Sequence, residues 1–198
     1  MKTFEIDGVK VTVDVANNLV SYDGPMMIDA DGSPNAYRLD DKGLDSLANA
    51  KSRNGQFVGV VVVNGVPHVQ PDKVSLVSTT SYQRSGHTVC DPKRYLDSEV
   101  IPYVAVPTRV IDAVPGIVIG SRVIVTNLRT GVSCVAVAGD CSGSHIGEAS
   151  IACARLLGIN ANARKGGTRD AIIRYEIHAG VPAVINGETF ELQPHRKA

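Results

Sequence analysis

A mostly β chain, folded as a small β-barrel with a few peripheral helices, is what this sequence predicts. Three observations carry that expectation. Short β-branched runs recur along the chain, hairpin-type pairs such as Asp7-Gly8, Asn64-Gly65 and Asn186-Gly187 interrupt them, and few stretches show helical periodicity. Alternating βα units are missing, which argues for a closed or nearly closed barrel rather than a parallel α/β sheet. The 198 residues suffice for one domain, 1–198, with a sizeable core.

Residues 3–15 read as two short strands around Asp7-Gly8, and Asn17 to Gly24 as a loop. Leu44, Leu47 and Ala48 share one face of an expected short helix. Phe57 to Val63 is a continuous apolar run, predicted as a strand covered on both faces, and Asn64-Gly65 turns it into Val66 to Val69. Val74 to Tyr82 reads as a further strand, Gln83 to Ser98 as loop, and Ile101 to Val106 as a strand stopped by Pro107. Ser121 to Asn127 and Val132 to Ala138 form a hairpin. A helix is expected over Glu148 to Leu157, ended by Gly158. Strands Ile172 to Ile177 and Ala183 to Leu192 complete the pattern.

Acidic and basic residues balance at 20 each, so neither nucleic acid nor a membrane surface is an expected partner. No apolar run is long enough for a membrane span, and the alternating N-terminus is unlike a signal peptide, so synthesis and folding in the cytoplasm are expected, with export by another route left open. On that expectation Cys90, Cys134, Cys141 and Cys153 are thiols, with Cys134 and Cys153 packed in the core.

The stretch Ala138 to Ser150 is the strongest candidate for chemistry. A strand runs into a Gly-rich loop, placing Asp140 at the entry of the turn and Glu148 at its exit. Two carboxyl groups across one cleft suffice for glycosidic hydrolysis without a cofactor, one protonating the leaving oxygen and the other activating water or attacking the sugar. The blander alternative makes Asp140 a turn residue and Glu148 a helix-start residue. A helix N-terminus would favour ionised Glu148 by ~0.3–1 kcal/mol, as suits a base, whereas a general acid needs burial. The division of labour stays open.

Asp29 and Asp31 alternate and would share one strand face, lining the groove to bind substrate or hold water; alternatively they form an Asx turn before Gly32. Asp29, Asp31, Ser33, Asn35 and Asp40 stand at calcium-loop offsets, but Pro34 replaces the required Gly and Asp40 the required Glu, so no metal is expected. Cys141 and His145 lack further ligands at zinc spacing, and His145 reads as solvent-exposed. His68, His87 and His178 are the candidate partners were Cys141 a nucleophile. Of the six tyrosines, Tyr22 and Tyr82 sit in polar contexts and are the candidates for stacking on sugars, whereas Tyr103 and Tyr175 read as core.

Three segments in order, Tyr22-Asp23-Gly24-Pro25-Met26-Met27-Ile28-Asp29-Ala30-Asp31-Gly32, Pro102-Tyr103-Val104-Ala105-Val106-Pro107 and Gly139-Asp140 leading to Ile146-Gly147-Glu148-Ala149-Ser150, resemble motifs of the fungal-type chitosanases, glycoside hydrolase family 75. Ala30 stands where that family has Cys, and the loop between the two acids is one residue shorter. The resemblance implies a double-psi-like barrel, catalysis by Asp140 and Glu148, an inverting endo-acting mechanism without cofactor, and an amino-sugar polysaccharide or oligosaccharide as substrate. Chitosan is the implied polymer, with peptidoglycan or another hexosamine glycan as alternatives. A non-catalytic glycan-binding or assembly module on the same fold is the expectation from a different class. Oligomeric state is not legible.

Overall fold

A computed structural model describes residues 1–194. β1 (Lys2–Ile6) and β2 (Val9–Asp14) form the expected antiparallel hairpin, and β3 (Leu19–Asp29) continues the meander. β3 corrects the loop expected from Asn17 to Gly24. Val20 and Tyr22 are buried while Ser21 and Asp23 face outward, a period-2 pattern masked by the neighbouring Asn and Gly-Pro pairs. Pro25 falls where the pairing register breaks, so its missing N–H costs no regular ladder bond.

The chain from Ala30 to Pro102 is a long excursion with little regular structure. It holds β4 (Val62–Val63) and β5 (Val66–Pro67), the hairpin across Asn64-Gly65, and a single 3₁₀ turn at Pro92–Arg94. Three expectations fail here. The Phe57–Val63 run is not a strand covered on both faces: Val62 and Val63 are each 42 % exposed, because this segment lies outside the main sheet. The Val74–Tyr82 segment makes only isolated bridges. Nor does Leu44 to Ala50 form a helix. Asp45 Oδ1 takes the Ser46 N–H at 2.7 Å and the Asn49 amide at 3.0 Å, the local competition by which polar side chains unseat a helix.

β6 (Tyr103–Ala105), α1 (Thr108–Ala113), β7 (Ser121–Asn127), β8 (Ser133–Asp140), β9 (Glu148–Ser150) and α2 (Ile151–Leu156) follow, then β10 (Thr168–Ile185) and β11 (Glu188–Phe190). β10 joins the Ile172–Ile177 segment to Ala183–Ile185 in one bulged strand, and β11 returns across Asn186-Gly187, so the expected Ala183–Leu192 strand is split between them. The sheet order is β1-β2-β3-β9-β6-β8-β7-β10-β11, and β10 also pairs with β3, closing six strands into a mixed barrel with two short helices. β3/β9 and β6/β8 run parallel, the remaining barrel pairs antiparallel. The expected barrel is therefore present.

Val20, Tyr22, Met26, Val104, Val123, Val125, Ala136, Ala138, Ala149, Ile173, Tyr175 and Ile177 belong to one buried apolar cluster. Tyr103, Val137, Leu96, Tyr82 and Phe190 belong to a second. Adjacent residues of β6 and of β8 alternate between the two clusters, so both faces of these strands are covered. The Tyr22 and Tyr175 rings stack within the first cluster, centroids 4.7 Å apart, across the β3–β10 seam. The Tyr175 hydroxyl donates to Pro25 O at 2.9 Å, whereas the Tyr22 hydroxyl is buried without a hydrogen-bond partner among the described residues. No helix among the described residues is long and apolar enough to cross a membrane.

The two tyrosines make opposite predictions. Tyr22→Phe removes an unpaired buried hydroxyl and is expected to leave stability unchanged or raised. Tyr175→Phe strips the donor from Pro25 O and is expected to cost about 1 kcal/mol, or roughly 2–4 °C for a chain this size. Denaturant unfolding of both variants measures the difference.

Candidate active site

Asp140 closes β8, as expected, but its direction is set by a bulge. Pairing with β6 moves from Val104↔Ala138 to Ala105↔Asp140, so Gly139 is an extra residue and Asp140 is turned away from the side that Ala138 occupies. Only glycine fits there: a Cβ at position 139 would lie 2.6 Å from Leu96 Cδ1 and 2.7 Å from Tyr103 Cβ. Glu148 corrects the expectation more sharply. It opens β9, not a helix, and Ala105 pairs with it from the other side. Ladders to both β3 and β6 outweigh its helical preference, and the helix start is displaced to Ser150, whose Oγ accepts the Cys153 N–H at 3.1 Å. Asp140 and Glu148 thus flank Ala105 from the two neighbouring strands, which puts their Cα atoms about 9–10 Å apart.

Asp29 and Asp31 join this pair. Asp29 ends β3, and its Oδ1 accepts the Asp31 N–H at 2.7 Å, so the Asx turn forms and both carboxyls still face the site. Carboxylate oxygens of Asp29, Asp31 and Asp140 lie within 4.8 Å of one another, a set that could hold a hard cation such as calcium or magnesium. The calcium-loop offsets are not what assembles it. Ser33 and Asn35 instead donate to Glu99, and Asp40 grips Arg38.

Three donors converge on one Asp140 oxygen: the Ser81 N–H at 3.1 Å, the Ser81 hydroxyl at 2.6 Å and the Cys141 N–H at 2.7 Å. Burial raises the Asp140 carboxyl, and these bonds pull it back toward the ionised form. Burial and the nearby Asp140 push Glu148 up to about 7. Burial and Asp140 push Asp31 up to about 8, against hydrogen bonds from Tyr37 and Ser78. Asp29 is raised well above the carboxylate range by burial, then by Asp31, Glu148 and Asp140. The helix-end argument for an ionised Glu148 therefore fails, because Glu148 is neither at a helix end nor well hydrated.

Two clefts meet over this cluster. One, of about 710 Å³, is lined by Asp29, Asp31, Tyr37, Asn49, Glu148 and the Arg164–Arg169 segment. The other, of about 790 Å³, is lined by Asp31, Asn49, Lys51, Ser81, Asp140 and His145. Asp31 and Asn49 border both, so the acids lie along one groove. Tyr22 and Tyr82 are not in it: they are 3 % and 5 % exposed, Tyr22 stacked inside the barrel and Tyr82 packed edge-on against Phe190. Their polar sequence neighbours point outward while the rings point in. Tyr103 and Tyr175 are core, as expected. His145 is exposed beside Asp7, Cys141 Sγ meets Thr108 Oγ1 at 3.1 Å, and Cys134 and Cys153 sulfurs stand 3.8 Å apart.

Tyr37, Asn49, Ser78, Ser81 and the Arg164–Arg169 segment were not singled out from the sequence. All but the last come from the irregular excursion, where no periodicity marks them. Comparison with protein families and with curated proteins found no match to this chain.

Raised carboxyl values predict a pH dependence of stability. Unfolded, Asp31 and Glu148 lose their protons near the ordinary carboxylate range of 3.8–4.5; folded, they hold them to about 8 and about 7. Between these limits the native state binds more protons than the unfolded one, so stability falls as pH rises. Melting temperature is expected to drop between about pH 5 and about pH 8, and Asp31→Asn with Glu148→Gln is expected to flatten that slope. A chelator is expected to leave the slope unchanged, since protons neutralise the cluster.

Proposed function

We propose that the protein is an endo-acting glycoside hydrolase for β-linked amino-sugar glycans, with Glu148 as general acid and Asp140 as general base. The observation that carries this reading is the placement of these two carboxyls on either side of Ala105 in one groove, in environments that separate their proton affinities. Glu148, raised by burial, keeps a proton at neutral pH and gives it to the glycosidic oxygen as the C1–O bond breaks. Asp140, held by three donors on one oxygen, has its other oxygen available to take a proton from water as that water attacks C1. Solvent then returns a proton to Glu148 and removes one from Asp140. Asp31, which keeps its proton to about 8, and Asp29, whose proton affinity burial and the neighbouring acids raise, are placed to donate hydrogen bonds to sugar hydroxyls or to the attacking water.

Strand spacing supports inversion. Two ladder steps separate the Asp140 and Glu148 backbones, which leaves room for the roughly 6.5–9.5 Å carboxyl separation that admits water. The three-segment resemblance to family 75 chitosanases points the same way.

Release of reducing ends from soluble chitin and chitosan oligomers tests the activity, with the α-anomer expected first by proton NMR before mutarotation. Glu148→Gln and Asp140→Asn are each expected to lower kcat by about 100-fold or more while the fold persists. The activity is expected to decline above about pH 7 as Glu148 ionises. Wild-type turnover in either variant overturns the pairing; glycan binding without any turnover in the native chain favours a non-catalytic module.

A further inference from the structure

One side of the cleft beside Glu148 carries a run of cations that suits an anionic glycan better than a polycation. Arg164, Lys165 and Arg169 all line it. Arg164 is a clamp: its Nη2 donates to Asp41 O at 2.7 Å, Asp45 O at 2.9 Å, Gly43 O at 3.2 Å and Asp41 Oδ1 at 3.2 Å, tying two loops together across the cleft. Lys165 and Arg169 are exposed and, among the described residues, neither has a carboxylate partner.

Their backbone is held in place rather than loose. The Lys165 N–H donates to Asn162 Oδ1 at 3.0 Å and the Gly167 N–H to Asn160 O at 2.7 Å. Gly167 packs so closely on β3 that a Cβ there would lie 2.1 Å from Met26 O. Asp29, Asp31, Asp45 and Glu148 line the same cleft, but among the described residues none is within ion-pair distance of Lys165 or Arg169, and Asp45 is bonded by Asn49 instead. A chain of free amines would meet, on this side of the cleft, two cations that no carboxylate partners.

We propose that the substrate is a carboxylate-bearing β-linked hexosamine glycan, one of whose carboxylates is seated between Lys165 and Arg169 on the Glu148 side of the groove. This rests on the glycosidase reading above for the chain it names. A carboxylate in a fixed pair of charged donors gains charge-assisted hydrogen bonds that a neutral sugar cannot make. The carboxylate could be the lactyl ether of a muramic acid or that of a uronic acid, and the shared chemistry is what Lys165 and Arg169 recognise.

Calorimetric titration of full-length Glu148→Gln, which binds without turnover, tests this with four tetrasaccharides: one containing muramic acid, one alternating glucuronic acid with N-acetylglucosamine, neutral chitin tetramer and cationic chitosan tetramer. At least one carboxylate probe is expected to bind about 10-fold more tightly than the chitin tetramer, and added salt is expected to erode that advantage. Adding Lys165→Ala and Arg169→Ala is expected to abolish the preference and leave chitin binding unchanged, with melting temperature confirming the fold. The two carboxylate probes tell lactyl from uronic recognition. A chitin or chitosan tetramer that binds as tightly, a preference that survives the double substitution, or no binding by any probe overturns the inference. Preferred carboxylate binding without hydrolysis by the native chain would instead sink the catalytic reading and leave this subsite standing. Best binding and turnover of chitosan would do the reverse.

Discussion

Closure of the barrel through β10 is the constraint on which the rest of the molecule depends. β10 hydrogen-bonds β7 along one edge and β3 along the other, so the sheet has no free edge across its six closed strands. The stacked Tyr22 and Tyr175 rings fill the interior at that seam. With β3 held there, its parallel partner β9 must lie beside it, and β6 must lie between β9 and β8. That order, rather than the short loop joining the two acids, is what sets Asp140 and Glu148 apart by two ladder steps. The Gly139 bulge then turns Asp140 to the groove, and its fit against Leu96 and Tyr103 couples the outer apolar cluster to the position of one carboxyl.

Gathering four carboxyls at the mouth of this barrel works against stability near neutral pH. Burial raises the proton affinity of all four, and Asp140 raises that of the other three further, with Glu148 adding to Asp31 and Asp29. The fold distributes hydrogen-bond donors unequally among them. Asp140 receives three on one oxygen, Asp31 those of Ser78 and Tyr37, and Glu148, among the described residues, has no comparable set. Unequal solvation of otherwise similar groups is how one groove can hold a proton donor and a proton acceptor together.

Most of those donors come from the long excursion between β3 and β6. It lacks regular structure, yet its Ser78, Thr80, Tyr82 and Leu96 are buried. The Tyr82 N–H bonds Gly139 O at 2.8 Å, and the Tyr103 hydroxyl returns a bond to Asp31 O at 2.9 Å. Such a segment works as one wall of the groove because it is fastened to the barrel at the bulge, beside the acids it equips.

Local pattern alone determined the Asp7-Gly8, Asn64-Gly65 and Asn186-Gly187 hairpins, the β7–β8 hairpin, the barrel class, and the grouping of Asp140, Glu148, Asp29 and Asp31 as acids of one groove. These follow from turn residues and period-2 alternation, which act over a few positions. Tertiary structure alone decided that Glu148 is a strand residue, that Tyr22 and Tyr82 are buried while Tyr37 reaches the site, and that Leu44 to Ala50 and Phe57 to Val63 form neither the helix nor the covered strand their composition suggested. The reason is physical in each case. Glu148 gains ladders from two strands distant in sequence, Tyr22 lies on the inward face of β3, and Phe57 to Val63 finds no partner strand in the main sheet. Proton affinities belong to the same class, since burial and the distance between carboxyls exist only once the barrel has closed.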